Sequence, residues 1–293
     1  MKFISLLLKG IVVGVSNVIP GVSAGTFMVL LGIYDDLVEA IGNFLTSKSK
    51  RKDYFLFLSP LVIGSGGGIL IFANLITLLI ERYAAPTQFF FIGLVLGSIP
   101  AVLSMHHEMK PSIPRLAAFV VGLGLVAFMD VEERLGISAH ISAGTSSLLG
   151  FLLFAVVGFL AGGTMVTPGV SGAYVFLLTE TYEPIMQALA SLTQPPIHWG
   201  VIISVAAGAV TGLLVCSRLI DLALERQPAV TYYTILGLIC GSFIGLWPAG
   251  LDLSVSSLAS MLALIPGVTI AYLLGRSAKG RAPRSHVAGK EIA

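Results

Sequence analysis

The segment Pro20-Gly21-Val22-Ser23, followed a little later by Tyr34-Asp35, returns as Pro168-Gly169-Val170-Ser171 followed by Tyr182-Glu183. The match runs on. With a short gap placed in the next loop of the second copy, Gly64, Gly68, Leu75, Ile76, Glu81, Arg82, Thr87, Gly93, Gly97 and Ser98 fall on Gly208, Gly212, Leu219, Ile220, Glu225, Arg226, Thr231, Gly237, Gly241 and Ser242. A unit of roughly 140 residues is far longer than any solenoid repeat, so the chain reads as two copies of a half-transporter.

Mean hydropathy is +0.94, and only 11% of residues are charged, against about 25% in soluble domains. This composition implies an integral membrane protein. Runs such as Tyr54 to Ile80, Thr87 to Met105, Pro228 to Leu251 and Leu253 to Gly275 meet or approach the roughly 20 residues a membrane helix needs. The expected fold is an all-α polytopic membrane protein of two inverted-topology repeats. Each repeat is a Pro-Gly re-entrant helical hairpin plus about three transmembrane helices.

In the first repeat, 1–135, the hairpin covers 3–45 and the spans lie at about 54–80, 87–105 and 115–130. In the second, 136–276, the hairpin covers about 145–192 and the spans about 197–220, 229–249 and 254–275, before a basic cytoplasmic tail at 277–293. The stretch Phe3 to Leu8 imitates the start of a signal peptide, but Lys9 interrupts it. The repeat places the counterpart of 10–44 inside the chain at 158–192, so this segment belongs to the mature fold.

Charge tests the inversion. A hairpin that enters and leaves on one side, plus three crossings, gives each half an odd number of crossings. With a cytoplasmic N-terminus, only Arg82 and Arg134 of the 17 Lys and Arg residues fall outside, as the positive-inside rule requires. Both termini are then expected in the cytoplasm. Irregular backbone at membrane depth survives only when surrounded by protein or a water-filled cavity, so the two Pro-Gly tips are expected to meet near the midplane.

Residue types suggest what such tips bind. Pro suits the first turn of a helix, Gly lets backbone approach a ligand, and new helix starts carry unsatisfied amides with a partial positive charge. Gly21, Val22, Ser23 and Thr26, with Gly169, Val170 and Ser171, are therefore the candidate phosphate or carboxylate ligands. The bland alternative is that Pro and Gly merely kink the helices. Glu81-Arg82 and Glu225-Arg226 end equivalent spans. They suit snorkelling ends, but also a phosphate at Arg82 or Arg226 and a coupling ion at Glu81 or Glu225. Asp35 and Glu183 are further candidates for coupling or gating. Residues 36–45 place Leu37, Val38, Ile41, Phe44 and Leu45 on one face, which suggests a helix lying along the inner interface.

Other features point to architecture. Gly64 and Gly68, Gly93 and Gly97, and their second-half equivalents are small-xxx-small pairs that favour close helix packing. Cys216 and Cys240, and the scattered histidines, have no metal-ligand spacing. Without a Walker sequence, a dinucleotide fingerprint or a nucleophile-base set, no cofactor is expected. ATP is not an expected energy source; the sequence does not identify the driving force, and a proton or a sodium gradient stays open.

Asn17-Val18-Ile19-Pro20-Gly21-Val22-Ser23-Ala24-Gly25-Thr26, Leu31-Gly32-Ile33-Tyr34, Pro168-Gly169-Val170-Ser171-Gly172 and Tyr182-Glu183-Pro184 resemble the bacterial polyprenyl-phosphate transporters called PopT, over nearly the whole chain. The resemblance implies a non-enzymatic flippase of the bacterial cytoplasmic membrane. It would return undecaprenyl phosphate, the lipid carrier of peptidoglycan and other envelope polymers, from the outer to the inner leaflet. Its partners would be that lipid and the bilayer, with no nucleic acid. An ion-coupled transporter of a soluble organic or inorganic anion uses the same hairpins and stays open; an enzyme acting on lipid phosphate lacks a catalytic constellation.

Overall fold

A computed structural model of the chain describes residues 3–17, 23–104, 109–135, 147–170, 172–191, 196–248 and 255–278. Among these residues the regular structure is entirely helical. The first half contributes α1 (Phe3–Asn17), α2 (Ala24–Leu30), α3 (Tyr34–Gly42), α4 (Arg51–Arg82), α5 (Ala84–Leu103) and α6 (Ile113–Leu135). The second contributes α7 (Leu148–Thr164), α8 (Gly172–Leu178), α9 (Tyr182–Ala190), α10 (Trp199–Arg226), α11 (Pro228–Leu246), α12 (Val255–Met261) and α13 (Leu264–Ala278).

Among the described residues, five helical segments are long and apolar enough to cross a membrane: Lys48–Phe72, Ala84–Leu103, Trp199–Arg226, Pro228–Leu246 and Leu258–Arg276. The expected third span of the first half, about 115–130, lies within α6, whose stretch Ile113–Met129 is apolar. The last expected span is broken between α12 and α13. Pro266 sits in the first turn of α13, where it has no N–H to bond back to Leu262 and its ring crowds that carbonyl.

Helices pair through glycine. α1 packs on α4 and α7 on α10; α5 packs on α13 and α11 on α6. A Cβ on Gly64 or Gly68 would overlap the carbonyls of Leu7 and Ile11, and one on Gly208 or Gly212 those of Ala155 and Phe159. Likewise Gly93 lies on the Leu264 carbonyl and Gly237 on the Phe119 carbonyl. In an apolar medium, where burial against lipid gains little, such backbone approach is what holds helices together. The pairings also link the halves, since α5 takes a partner from the second half and α11 one from the first.

α5 and α11 are largely buried, whereas the long spans in α4, α10 and α13 are mostly exposed. Their outward residues, such as Leu70 and Ile71 on α4, Ile203 and Leu219 on α10, and Leu273 on α13, are large and apolar. A surface of this kind is at home in lipid. The inner core unites Ile33, Tyr34 and Val38 with Phe89 and Val102 of α5 and Ile239 of α11, all fully buried.

The apolar face of α3 meets protein: Leu37 and Val38 are buried and the helix packs on α10 and α4, while Leu45, past its end, is exposed.

Candidate functional site

Ser23 and Gly25, just after the first Pro-Gly motif, meet the segment that leads into the second. Ser23 caps α2, with its Oγ accepting from the Gly25 amide at 3.2 Å, a common use of Ser before a helix. The same hydroxyl donates to the carbonyl of Thr167 at 3.1 Å, across the junction between the halves. Gly25 faces the backbone of Pro168, whose nitrogen would lie 2.9 Å from an added Cβ. Only glycine allows this approach. The Tyr34 hydroxyl donates to the carbonyl of Val166 at 2.9 Å, so hairpin one grips the segment before Pro168 at two points.

On the second tip, Gly169 has φ +81°, and a Cβ there would overlap the Leu238 carbonyl of α11. Val170 is buried with Val126 of α6 and Leu238 of α11. The Tyr174 hydroxyl donates to the Met129 carbonyl at 2.8 Å. Tip two is thereby seated on the α6–α11 pair, while α2 is seated on α5 and its partner α13.

Of the expected anion ligands, Ser23 and Thr26 are buried at the start of α2, and Gly169 and Val170 lie at the second tip. Gly21, Val22 and Ser171 lie outside the described residues. In this conformation Ser23 is committed to protein on both its donor and acceptor sides.

The acidic candidates part company. Asp35, in the first turn of α3, accepts from the Tyr232 hydroxyl of α11 at 2.5 Å. Its repeat equivalent, Glu183, is exposed in the first turn of α9 and accepts from Gln187 at 3.2 Å. Glu81-Arg82 and Glu225-Arg226 stand exposed at the C-terminal ends of α4 and α10. The structure does not bring these pairs to the tips.

A second polar cluster was not singled out from the sequence. Asn43, which caps the end of α3, donates to Asp221 Oδ2 at 2.7 Å. Arg218 Nη1 donates to Asn43 Oδ1 at 2.6 Å and to Asp221 Oδ2 at 2.8 Å. Nearby, the Tyr54 hydroxyl donates to Glu39 at 3.1 Å, and Lys50 lies 3.5 Å from the same carboxylate. The available signal was two opposite charges, i and i+3, inside an otherwise apolar helix. Attention to symmetric pairs passes over them, because their repeat equivalents are Asn74 and Thr77.

Residues 13–275 match the family model described as VCA0040-like, undecaprenyl phosphate translocase-like. A polyprenyl-phosphate transporter of Vibrio cholerae is 30% identical over 259 residues, covering 85% of this chain and 79% of that protein. One of Staphylococcus aureus is 26% identical over 279 residues, covering 94% of this chain and 96% of that protein. No solved structure matches significantly. A multi-pass helical membrane protein, this chain belongs to the undecaprenyl phosphate translocase-like family.

Proposed function

We propose that the chain transports undecaprenyl phosphate across the bacterial cytoplasmic membrane, from the outer to the inner leaflet, so that the lipid carrier is reused in envelope synthesis. The observation that carries the site assignment is the meeting of the two repeated tips, with Ser23 on the Thr167 carbonyl and Gly25 against Pro168. A lipid phosphate needs anion-binding groups inside the protein and an apolar outer wall for its tail; the family match supplies the substrate class.

In this reading the repeats, 1–135 and 136–276, are inverted, and 277–293 is a cytoplasmic tail. Both termini face the cytoplasm. At 17 residues α7 is at the short end of what a crossing needs, which supports a hairpin that dips and returns. The corresponding pairs α1–α4 and α7–α10, and α5–α13 and α11–α6, support two halves related by pseudo-symmetry, the arrangement in which alternating access moves one half against the other around a fixed site.

The phosphate is held by Ser23, Thr26 and the amides of Gly21, Val22, Gly169, Val170 and Ser171 once the Ser23–Thr167 contact opens. Arg82 and Arg226 take up and release it at the two faces. A proton or sodium gradient drives the cycle. Asp35, bonded to α11 of the other half, is the acidic residue placed to couple it, ahead of Glu183, Glu81 and Glu225.

The test is leaflet-resolved transport of labelled undecaprenyl phosphate in proteoliposomes under imposed proton or sodium gradients. The reading expects transport by the intact chain and its loss in the Ser23→Ala, Ser171→Ala double variant. Folded protein that carries an organic or inorganic anion but not the lipid would replace the reading with soluble-anion transport.

A further inference from the structure

We propose that Arg218 is a docking cation for the phosphate monoester of the lipid, at the junction of α3 and α10. This rests on the transport reading for the identity of the lipid, but the anion site itself rests on geometry. Eight residues separate Arg218 from the end of α10, which sets it about 12 Å in along the helix at 1.5 Å per residue. A helix of 28 residues is about 42 Å long by the same rise, against roughly 30 Å of hydrocarbon. With the helix centred on that layer it overhangs by about 6 Å at each end, so Arg218 falls about 6 Å inside the apolar layer, where an ionised side chain is costly unless it is partnered.

The partners hold one nitrogen. Nη1 meets both Asn43 Oδ1 and Asp221 Oδ2, and Asp221 is 3% exposed. Among the described residues Nε and Nη2 donate to no described acceptor, and the Arg218 side chain remains 38% exposed. A guanidinium fixed through one nitrogen with its other edge open matches the bidentate geometry of a phosphate. Asp221 orients the group and offsets part of its charge, leaving an anion site that both binds and releases.

One further observation fits a lipid ligand here. Val215 and Leu219 flank the site on α10, exposed and apolar, as a prenyl chain requires. Glu39 is the other carboxylate facing this junction, and it is engaged by Tyr54 and Lys50.

The experiment uses the full chain in nanodiscs. Binding of undecaprenyl phosphate, undecaprenol and inorganic phosphate is titrated for the intact protein and Arg218→Lys. In parallel, modification of Arg218 by phenylglyoxal is followed in the intact protein by peptide mass spectrometry. The expected result is a Kd for undecaprenyl phosphate raised about tenfold or more in Arg218→Lys, since Lys is a point charge without the fork. Undecaprenol binding stays unchanged, and undecaprenyl phosphate, but not undecaprenol, slows modification of Arg218 several-fold. If inorganic phosphate alone protects Arg218 and the lipid adds nothing, the anion site stands and the lipid reading fails. If the intact protein binds undecaprenyl phosphate with Arg218 unprotected and Arg218→Lys binds equally well, the proposal is overturned while the transport reading stands. Should Arg218→Lys fail to fold, protection in the intact protein decides alone.

Discussion

The two hairpins turn on the same four residues and carry their second arms into different surroundings. The second arm of hairpin one, α2 and α3, is built into the main core with α5, α11 and α13, and α3 is packed on α10 of the other half. The second arm of hairpin two, α8 and α9, shares a separate core with its own α7 and the start of α10, where Val175 and Ile185 meet Phe154, Val157 and Val201. Tyr34 is fully buried and its equivalent Tyr182 is 40% exposed. Asp35 reaches α11, and Glu183 reaches only its own helix. A repeated motif thus fixes what a hairpin can do locally, while its neighbours decide which copy is clamped.

The sharpest way to break this comparison is at glycine. Gly25→Ala drives a Cβ into the Pro168 backbone and is expected to cost about 3 kcal/mol. Gly172→Ala, whose Cβ would sit 3.2 Å from the Ala161 carbonyl, is expected to cost no more than about 1 kcal/mol, since a small backbone adjustment relieves it. Thermal unfolding of both variants in detergent checks the contrast; equal midpoints would show that the tips are not differently packed.

Asp35→Asn comes next, because it weakens a charge-assisted bond from Tyr232 inside the core, at about 2 kcal/mol. Glu183→Gln, at an exposed site, stays within about 0.5 kcal/mol. Tyr34→Phe leaves the Val166 carbonyl without its donor and is expected to cost about 1.5 kcal/mol, with Tyr182→Phe near neutral on the same unfolding assay. The smallest effects belong to Arg82→Ala and Arg226→Ala. As exposed helix ends they are expected to shift stability by less than about 0.5 kcal/mol, so a loss of transport in either variant reports on the lipid path and not on folding.

What was legible in the sequence followed from local rules and from symmetry. Gly64 and Gly68 announced close packing because their spacing returns to one helix face, and the structure puts α1 there. The spacing could not say that Gly93 and Gly97 pack on α13 of the other half, since a small-residue face specifies a distance of approach and not a partner. The repeated Pro-Gly break marked the neighbourhood in which Ser23 and Gly25 meet Thr167 and Pro168. The inequality of the two copies was not readable there, because the residues that create it, Tyr232 against Gln88 and Asn43 against Ser191, lie outside the motif. The break before α13 was written in Pro266, but a continuous apolar run concealed it. Asn43 and Asp221 are brought together only by the packing of α3 on α10, a long-range contact that no local pattern encodes.

The central claim is that the junction between the tips must open for the lipid phosphate to pass. In a background with Cys216→Ala and Cys240→Ala, cysteines placed by Ser23→Cys and Thr167→Cys can be joined by oxidation or a short bifunctional reagent. Leaflet-resolved transport of undecaprenyl phosphate is then compared before and after cross-linking. The account predicts that transport stops when the tips are joined by the disulfide and returns on reduction. Transport at an unchanged rate through fully cross-linked protein would contradict it.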